Sequence, residues 1–401
     1  MKRIGILTAG GDTPALNSTI HGAVVRANQF DVEIFGLIKG FNSLFNPRVP
    51  HVHLNPLYQE IPELDPTKGG TLIGSSRDFV DPNKKEELDL VATRLAKLAI
   101  EGLICVGGDG TLNGLQPLAE RLPTVLAPKT IDNDLGLNYP SEPDEMVRVH
   151  HKDGRFTYKH TESQAAFGLD QMVNYVTPGY ATAVYVSASG VEQVRTTAES
   201  HRRIGIIEVM GRHSGTSRSA QLTGSQISSS SLSTPLISNV SSSMLSTSTT
   251  CRKTSLSYAA KASWINRAVK LGAESKSTDP AGNIALSGAG EALRNKLMHL
   301  IGDRYFQLYR RGNSAREAMF SRKVGHTQRG GRPILFDRFY AAQLGAKAVE
   351  LLPKVATTPS PCCNTAAVKG FTWTAMTPAV SAIGGVSSML AACIHHVTIR
   401  G

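Results

Sequence analysis

The chain has 401 residues, ample for a core in one large or two medium domains, and 41% of them are hydrophobic. It contains no run of about 18 apolar residues and no basic-then-apolar leader, so no membrane partner or export is expected. Five cysteines without metal-ligand spacing point to a reducing, cytoplasmic compartment. The net charge of +11 would suggest a polyanionic partner, but ten of the eleven charges fall in two acid-free stretches, seven in 209–273 and three in 351–401. Nucleic-acid binding is therefore not expected.

Arg3-Ile4-Gly5-Ile6-Leu7-Thr8 reads as a short strand ending in Ala9-Gly10-Gly11-Asp12, and Pro14 to Arg26 as the helix that follows. This β–glycine turn–α unit opens a doubly wound α/β fold. Taken alone, Gly10-Gly11 need only reverse the chain. Val32 to Leu37 is the next strand, and Gly69-Gly70-Thr71 begins a glycine-rich loop closing on Ser76-Arg77. Arg77 suits a phosphate; its plain alternative is a solvated surface cation.

Glu86 to Ala99 has helical spacing at Leu88, Leu90, Val91, Leu95 and Leu98. It leads into the apolar strand Leu103 to Val106, which ends in Gly107-Gly108-Asp109-Gly110-Thr111. A second strand, Val125 to Ala127, ends in Pro128-Lys129-Thr130-Ile131-Asp132-Asn133-Asp134. Glycines at a strand's carboxyl end let backbone amides approach phosphate oxygens, and a helix starting there adds its positive end. One carboxylate can hold Mg2+ and a second can take a proton from an attacking hydroxyl, so these are the parts of a phosphoryl-transfer site. Leu135 to Ala166, rich in Pro, His and charge, reads as a structureless inserted loop, a solvated surface excursion in preference to a lid. Thr177 to Ala183 then enters another helix.

These blocks, with Glu199 to Arg203, Glu208 to Gly215, Gly325 to Gly331 and Phe336-Asp337-Arg338, occur in an order that resembles the 6-phosphofructokinases. The resemblance covers about 1–215 and 266–350 and implies a two-lobed α/β architecture, with a donor-binding lobe over 1–145 and a sugar-phosphate lobe over 146–350. It implies that Gly10, Arg77, Asp78, Gly108, Asp109, Gly110, Thr111 and Lys129 bind the phosphoryl donor, with Asp109 on Mg2+. Thr130, Ile131 and Asp132 would face the sugar phosphate, Asp132 as the base for its 1-hydroxyl, with Asp134 beside it or only capping its own loop. Met210, Gly211, Arg212, His326 and Arg329 would bind fructose 6-phosphate, and Arg203 would reach a neighbouring subunit's site in a homo-oligomer, a dimer or tetramer. Within the family a glycine at position 110 goes with ATP, whereas Lys129 often accompanies pyrophosphate; ATP is the expected donor. Lipid and NAD kinases also carry Gly-Gly-Asp-Gly-Thr, but the Met210 and Gly325 blocks separate this chain from them.

Two tracts break the pattern. Ser225 to Thr250 is dominated by Ser and Thr and reads as disordered, and 351–401 reads as an aberrant tail. Suitable codons for Ala259 to Ile265, moved back one base, spell Cys-Gly-Glu-Gly-Ile-Val-Asp, containing the sugar-binding Gly-Glu-Gly of the family; Lys261 overlaps its glutamate. The expectation is that 216–265 and the tail are out of frame. The second lobe would then be disrupted and lose core strands, leaving a weak enzyme or a relic that binds nucleotide only.

Overall fold

A computed structural model describes residues 1–78, 80–81, 83–133, 146–150, 156–160, 176–201, 203–210, 228–229, 255–260, 263–265, 269–271, 273–278, 284–309 and 314–356. The first lobe runs β1 (Arg3–Ala9), α1 (Leu16–Gln29), β2 (Glu33–Leu37), α2 (Phe41–Phe45), β3 (His51–His53), β4 (Ser75–Ser76), α3 (Lys85–Lys97), β5 (Leu103–Gly107), α4 (Asp109–Ala119) and β6 (Thr124–Pro128). Its sheet has the order β3-β2-β1-β5-β6, with β4 beside the carboxyl end of β1. All pairings are parallel except β2 with β3.

Alternation of side chains across the pleat explains why these strands are apolar throughout. Ile4, Ile6, Ile104 and Val106 face one way and pack with Leu16, Ile20 and Val24 of α1. Leu7, Ala9, Leu103 and Cys105 face the other way and pack with Leu88, Val91 and Leu95 of α3. Leu90, expected on the buried face of that helix, is instead 47% exposed, because only the 88, 91, 95 stripe meets the sheet.

The expected structureless loop contains a hairpin, β7 (Met146–His150) paired antiparallel with β8 (Phe156–His160). Val147 and Val149, then Phe156 and Tyr158, recur with period two, and that alternation is the strand signal. Residues 134–145, 151–155 and 161–175 lie outside the described residues.

The second lobe begins with α5 (Tyr180–Ser200) and β9 (Ile204–Val209). There follow β10 (Ser228–Ser229), β11 (Ser255–Ala260), β12 (Ser263–Ile265), β13 (Val269–Leu271), β14 (Ala273–Thr278) and β15 (Ile284–Ser287). After these come α6 (Ala289–Tyr309), α7 (Ala315–Ala318), β16 (Met319–Lys323) and α8 (Leu335–Ala356). Its main sheet is parallel in the order β10-β11-β9-β16, while β12 with β13 and β14 with β15 form antiparallel pairs. Ile204, Ile206, Leu293, Leu297, Phe306 and Met319 share a core.

A strand does form inside the tract expected to lose them: Ser255–Ala260 pairs with β9 from Ser255↔Ile204 to Ala260↔Val209. Apart from Ser228–Ser229, residues 211–254 lie outside the described residues, as do those from 357 onward.

The final helix does not respect the expected lobe boundary at 350. α8 continues to Ala356 and returns to the first lobe, where Leu344, Ala348, Leu352 and Val355 join the core of Ile4, Ile20 and Val24. Its close approach to α1 depends on small residues. A Cβ on Gly22 would lie 1.9 Å from the Ala342 carbonyl oxygen, and one on Gly345 would lie 1.9 Å from that of Thr19.

Candidate active site

The strand order reverses at β1 and β5, so their carboxyl ends open a crevice where this class of fold binds ligands. Gly10 and Gly11 leave β1 there, and Gly10 adopts φ +84, a left-handed conformation that favours glycine. Parallel pairing of β4 with Thr8 and Ala9 fixes that turn from the side. The Gly10 N–H donates to Ser76 O at 2.9 Å, and Ser75 Oγ donates to Gly10 O at 2.9 Å. Arg77, exposed, follows directly.

From β5, Gly108 leads into α4, whose first backbone amides offer donors to an anion at the same edge. Thr111 is 2% exposed, and its Oγ1 has no hydrogen-bond partner among the described residues. That hydroxyl lies 3.6 Å from where a Cβ on Gly10 would stand, at ordinary contact distance, so an unsatisfied polar atom faces the glycine turn. Asp109 and Gly110 open the helix backbone at this edge; the side chain of Asp109 lies outside the described set.

Lys129 follows β6 and is 3% exposed, its ammonium donating to the Gly11 carbonyl. Burial, then the Arg329 charge, brings its pKa down from 10.5 to about 7, with Asp12 opposing, Arg77 adding and Asp132 opposing. Four charged groups from four separate segments thus act on one buried amine. Arg329 comes from the second lobe, donating from Nη1 to Asp12 O at 2.9 Å; a Cβ on Gly11 would stand 2.6 Å from that nitrogen. Beside it, Gly69 of the first lobe abuts the Gly331 carbonyl, so the two glycine loops close on each other.

The Thr130–Asn133 segment is held from both sides. The Thr130 N–H donates to Pro178 O at 3.2 Å, and Asn133 Oδ1 accepts the Thr177 N–H at 2.8 Å. Within it, the Asp132 N–H donates to Thr130 Oγ1 at 3.0 Å. Ile131 packs with Ala183 and Met210, which brings the end of β9 to the same place. The Met210 N–H donates to Gln328 Oε1 at 2.6 Å, tying that strand end to the turn that carries His326 and Arg329.

The structure therefore gathers Gly10, Arg77, Gly108, Thr111, Lys129, Thr130, Ile131, Asp132, Met210 and Arg329 at one edge. Asp78 is half-buried beside Arg77, and the His326 side chain is exposed on its turn. Arg203 stands apart: it precedes β9, seven residues and so about 23 Å along the strand from Met210, with an exposed side chain. Asp134, Gly211 and Arg212 lie outside the described residues. Sequence reasoning passed over two contributors, Asp12 and Gln328. Both sit inside quoted motifs, and an amide or acid flanked by functional glycines was the available signal.

The described residues contain no cluster of three or more His, Cys, Asp or Glu able to cage a metal. Mg2+ held through one carboxylate, water and donor phosphates would need no such cage, and the unpartnered Thr111 hydroxyl beside the first amides of α4 suits those phosphates.

A family model described as Phosphofructokinase matches residues 3–139 and 170–352. An ATP-dependent 6-phosphofructokinase of Alkaliphilus metalliredigens is 30% identical over 357 residues, covering 88% of this chain and 86% of its own. One from Vibrio cholerae is 29% identical with the same coverage. Among solved structures, the pyrophosphate-dependent phosphofructokinase of Nitrosospira multiformis superposes with a TM-score of 0.63 at 14% identity, covering 90% of this chain and 78% of that one. The phosphofructokinase of Saccharomyces cerevisiae gives 0.61 at 20% identity over 90% of this chain, which spans 43% of the yeast chain. On the family match and the similarity to these relatives, the chain belongs to the phosphofructokinases, a family of phosphotransferases.

Proposed function

We propose that the protein transfers the terminal phosphoryl of ATP to the 1-hydroxyl of fructose 6-phosphate, in the cytoplasm and as a homo-oligomer. The observation that carries this reading is Arg329, brought from the second lobe onto Gly11, where its charge, those of Arg77 and Asp132, and Lys129 converge. Such a place suits a phosphate between a donor loop and a sugar-phosphate lobe. Asp132 takes the hydroxyl proton, the 1-oxygen bonds to the terminal phosphorus, and the bond to the bridging oxygen breaks as ADP leaves. Asp109 would hold Mg2+, which would supply neutralisation of the charge on the transferred group. Arg77, Lys129 and the amides at Gly10 and Gly108 hold that group in line with the hydroxyl. Exposure of Arg203 away from Met210 supports its reaching a neighbouring subunit.

Asp132→Asn tests the base. Turnover of fructose 6-phosphate should fall by about 10²- to 10⁴-fold while the nucleotide Kd stays within a few-fold. Undiminished turnover would remove Asp132 from the chemistry.

Pyrophosphate is the second reading, favoured by the burial of Lys129 against the glycine turn. Turnover with pyrophosphate exceeding that with ATP would select it. The out-of-frame reading of 216–265 and the tail is also proposed. Sequencing the coding DNA across both tracts would either restore Gly-Glu-Gly or establish the present chain; in the second case, nucleotide binding without turnover would mark a relic.

A further inference from the structure

Asp337 is a fully buried carboxylate in the first turn of α8, outside every group given a role above. Its Oδ2 accepts the Thr182 N–H at 2.7 Å and the Thr182 hydroxyl at 2.6 Å. Burial raises its pKa, and the backbone N–H groups of Gly179 and Ala181, which also face it, offset that only in part. Asp337 thereby satisfies the Thr182 amide in the first turn of α5, whose N-cap residue, Gly179, supplies no side-chain cap. Thr182 Oγ1 in turn accepts the Ile334 N–H at 3.1 Å, so the start of α8 is tied to the start of α5 twice.

The residues just before that capped turn hold the reacting loop. Pro178 O receives the Thr130 N–H, and the Thr177 N–H reaches Asn133 Oδ1. Gly179, at φ +101, sits against Thr13, leaving 2.7 Å between a would-be Cβ and the Thr13 side chain. The turn therefore has little room to shift toward the first lobe. A continuous hydrogen-bonded path runs from Asp337 through Gly179–Thr182 and Thr177–Pro178 to both ends of Thr130–Asn133.

We propose that Asp337 is a positioning residue for phosphoryl transfer, holding the Thr177–Thr182 turn so that Asp132 meets the sugar hydroxyl. It touches neither substrate nor reacting atoms. The proposal rests on Asp132 being the base, and its physical content is geometric: a displacement of about 1 Å at the reacting group can cost about a hundredfold in rate. Asparagine would turn an N–H toward the Thr182 donors or toward the amides of Gly179 and Ala181.

Asp337→Asn and Thr182→Val are the test, the second removing only the hydroxyl and preserving the amide bond. Hydrogen exchange of the purified full chain is followed at peptides spanning 128–133, 176–182 and, as a control, 16–29. Expected is faster exchange in Asp337→Asn at both 128–133 and 176–182, with 16–29 unchanged, and the same pattern to a smaller degree in Thr182→Val. Alongside, kcat should fall about ten- to a hundredfold with the nucleotide Kd and the KM for the sugar within threefold. Faster exchange at 176–182 with 128–133 unaltered, or wild-type kcat, would overturn the proposal. Should Asp132→Asn leave turnover intact while the exchange pattern holds, the assignment of the base fails and the coupling of Asp337 to that loop stands.

Discussion

At the scale of the residue, Lys129 links fold and chemistry most directly. Its ordinary pKa of 10.5 falls to about 7 in the folded chain, so between those values the unfolded state binds the extra proton. Stability must therefore rise with pH across that window, and the penalty is greatest below about 7. Lys129→Met removes the titrating group. The apoprotein should then be more stable than wild type at pH 7, with the gap closing as pH approaches 10, measured by urea unfolding at a series of pH values. Parallel curves for the two proteins would refute a buried, titrating amine at this site. Donor binding should reverse the cause, since phosphate beside the amine favours its charged form. That the lysine follows a strand end beside glycines was legible from sequence. Its depressed pKa was not, because the second-lobe charge that adds to the effect of burial, Arg329, lies 200 residues further along the chain.

Elements show where pattern reading succeeds and where it fails. β1, β5 and β6 were legible as apolar runs closed by glycine or proline, and each is buried on both faces. The hairpin at β7 and β8 was hidden by its Pro, His and charge-rich flanks, although its own residues alternate. For α8 the docking face was not legible, since sequence order assigned this stretch to the second lobe and its stripe packs on the first. The crossing of α1 and α8 is set by Gly22 and Gly345. Gly345→Ala would place a methyl 1.9 Å from the Thr19 carbonyl and 2.9 Å from the Ala23 nitrogen, so the helices must separate. We expect a loss of about 2–3 kcal/mol, read as a lower urea midpoint at unchanged m. Gly330→Ala is the control, because a Cβ there meets nothing within 4 Å. Equal midpoints for the two variants would show that the crossing is not close.

For the whole molecule, the order of the motifs carried the architecture: two mainly parallel sheets with the site between their loops. What order could not convey is how the segment outside the family pattern bears on the site. The family match stops at 139 and resumes at 170, and the hairpin lies in that gap. Yet the chain on either side is already clasped, at 2.8 Å between Thr177 N and Asn133 Oδ1 and at 3.2 Å between Thr130 N and Pro178 O. Those two bonds do not involve the hairpin, so the reacting loop has its own fastening. Replacing 140–169 with a short Gly/Ser linker should then leave kcat within threefold and the unfolding midpoint unchanged or slightly raised. Shortening a flexible loop favours closure by only ~0.6 kcal/mol per halving, so the entropy term is small and of favourable sign. A lid would behave differently. Its removal would admit water to the transferred phosphoryl, lowering transfer to the sugar and raising hydrolysis of the donor without sugar present. Measuring both rates on the excised protein separates the two, and a rise in hydrolysis would make the hairpin part of the catalytic device.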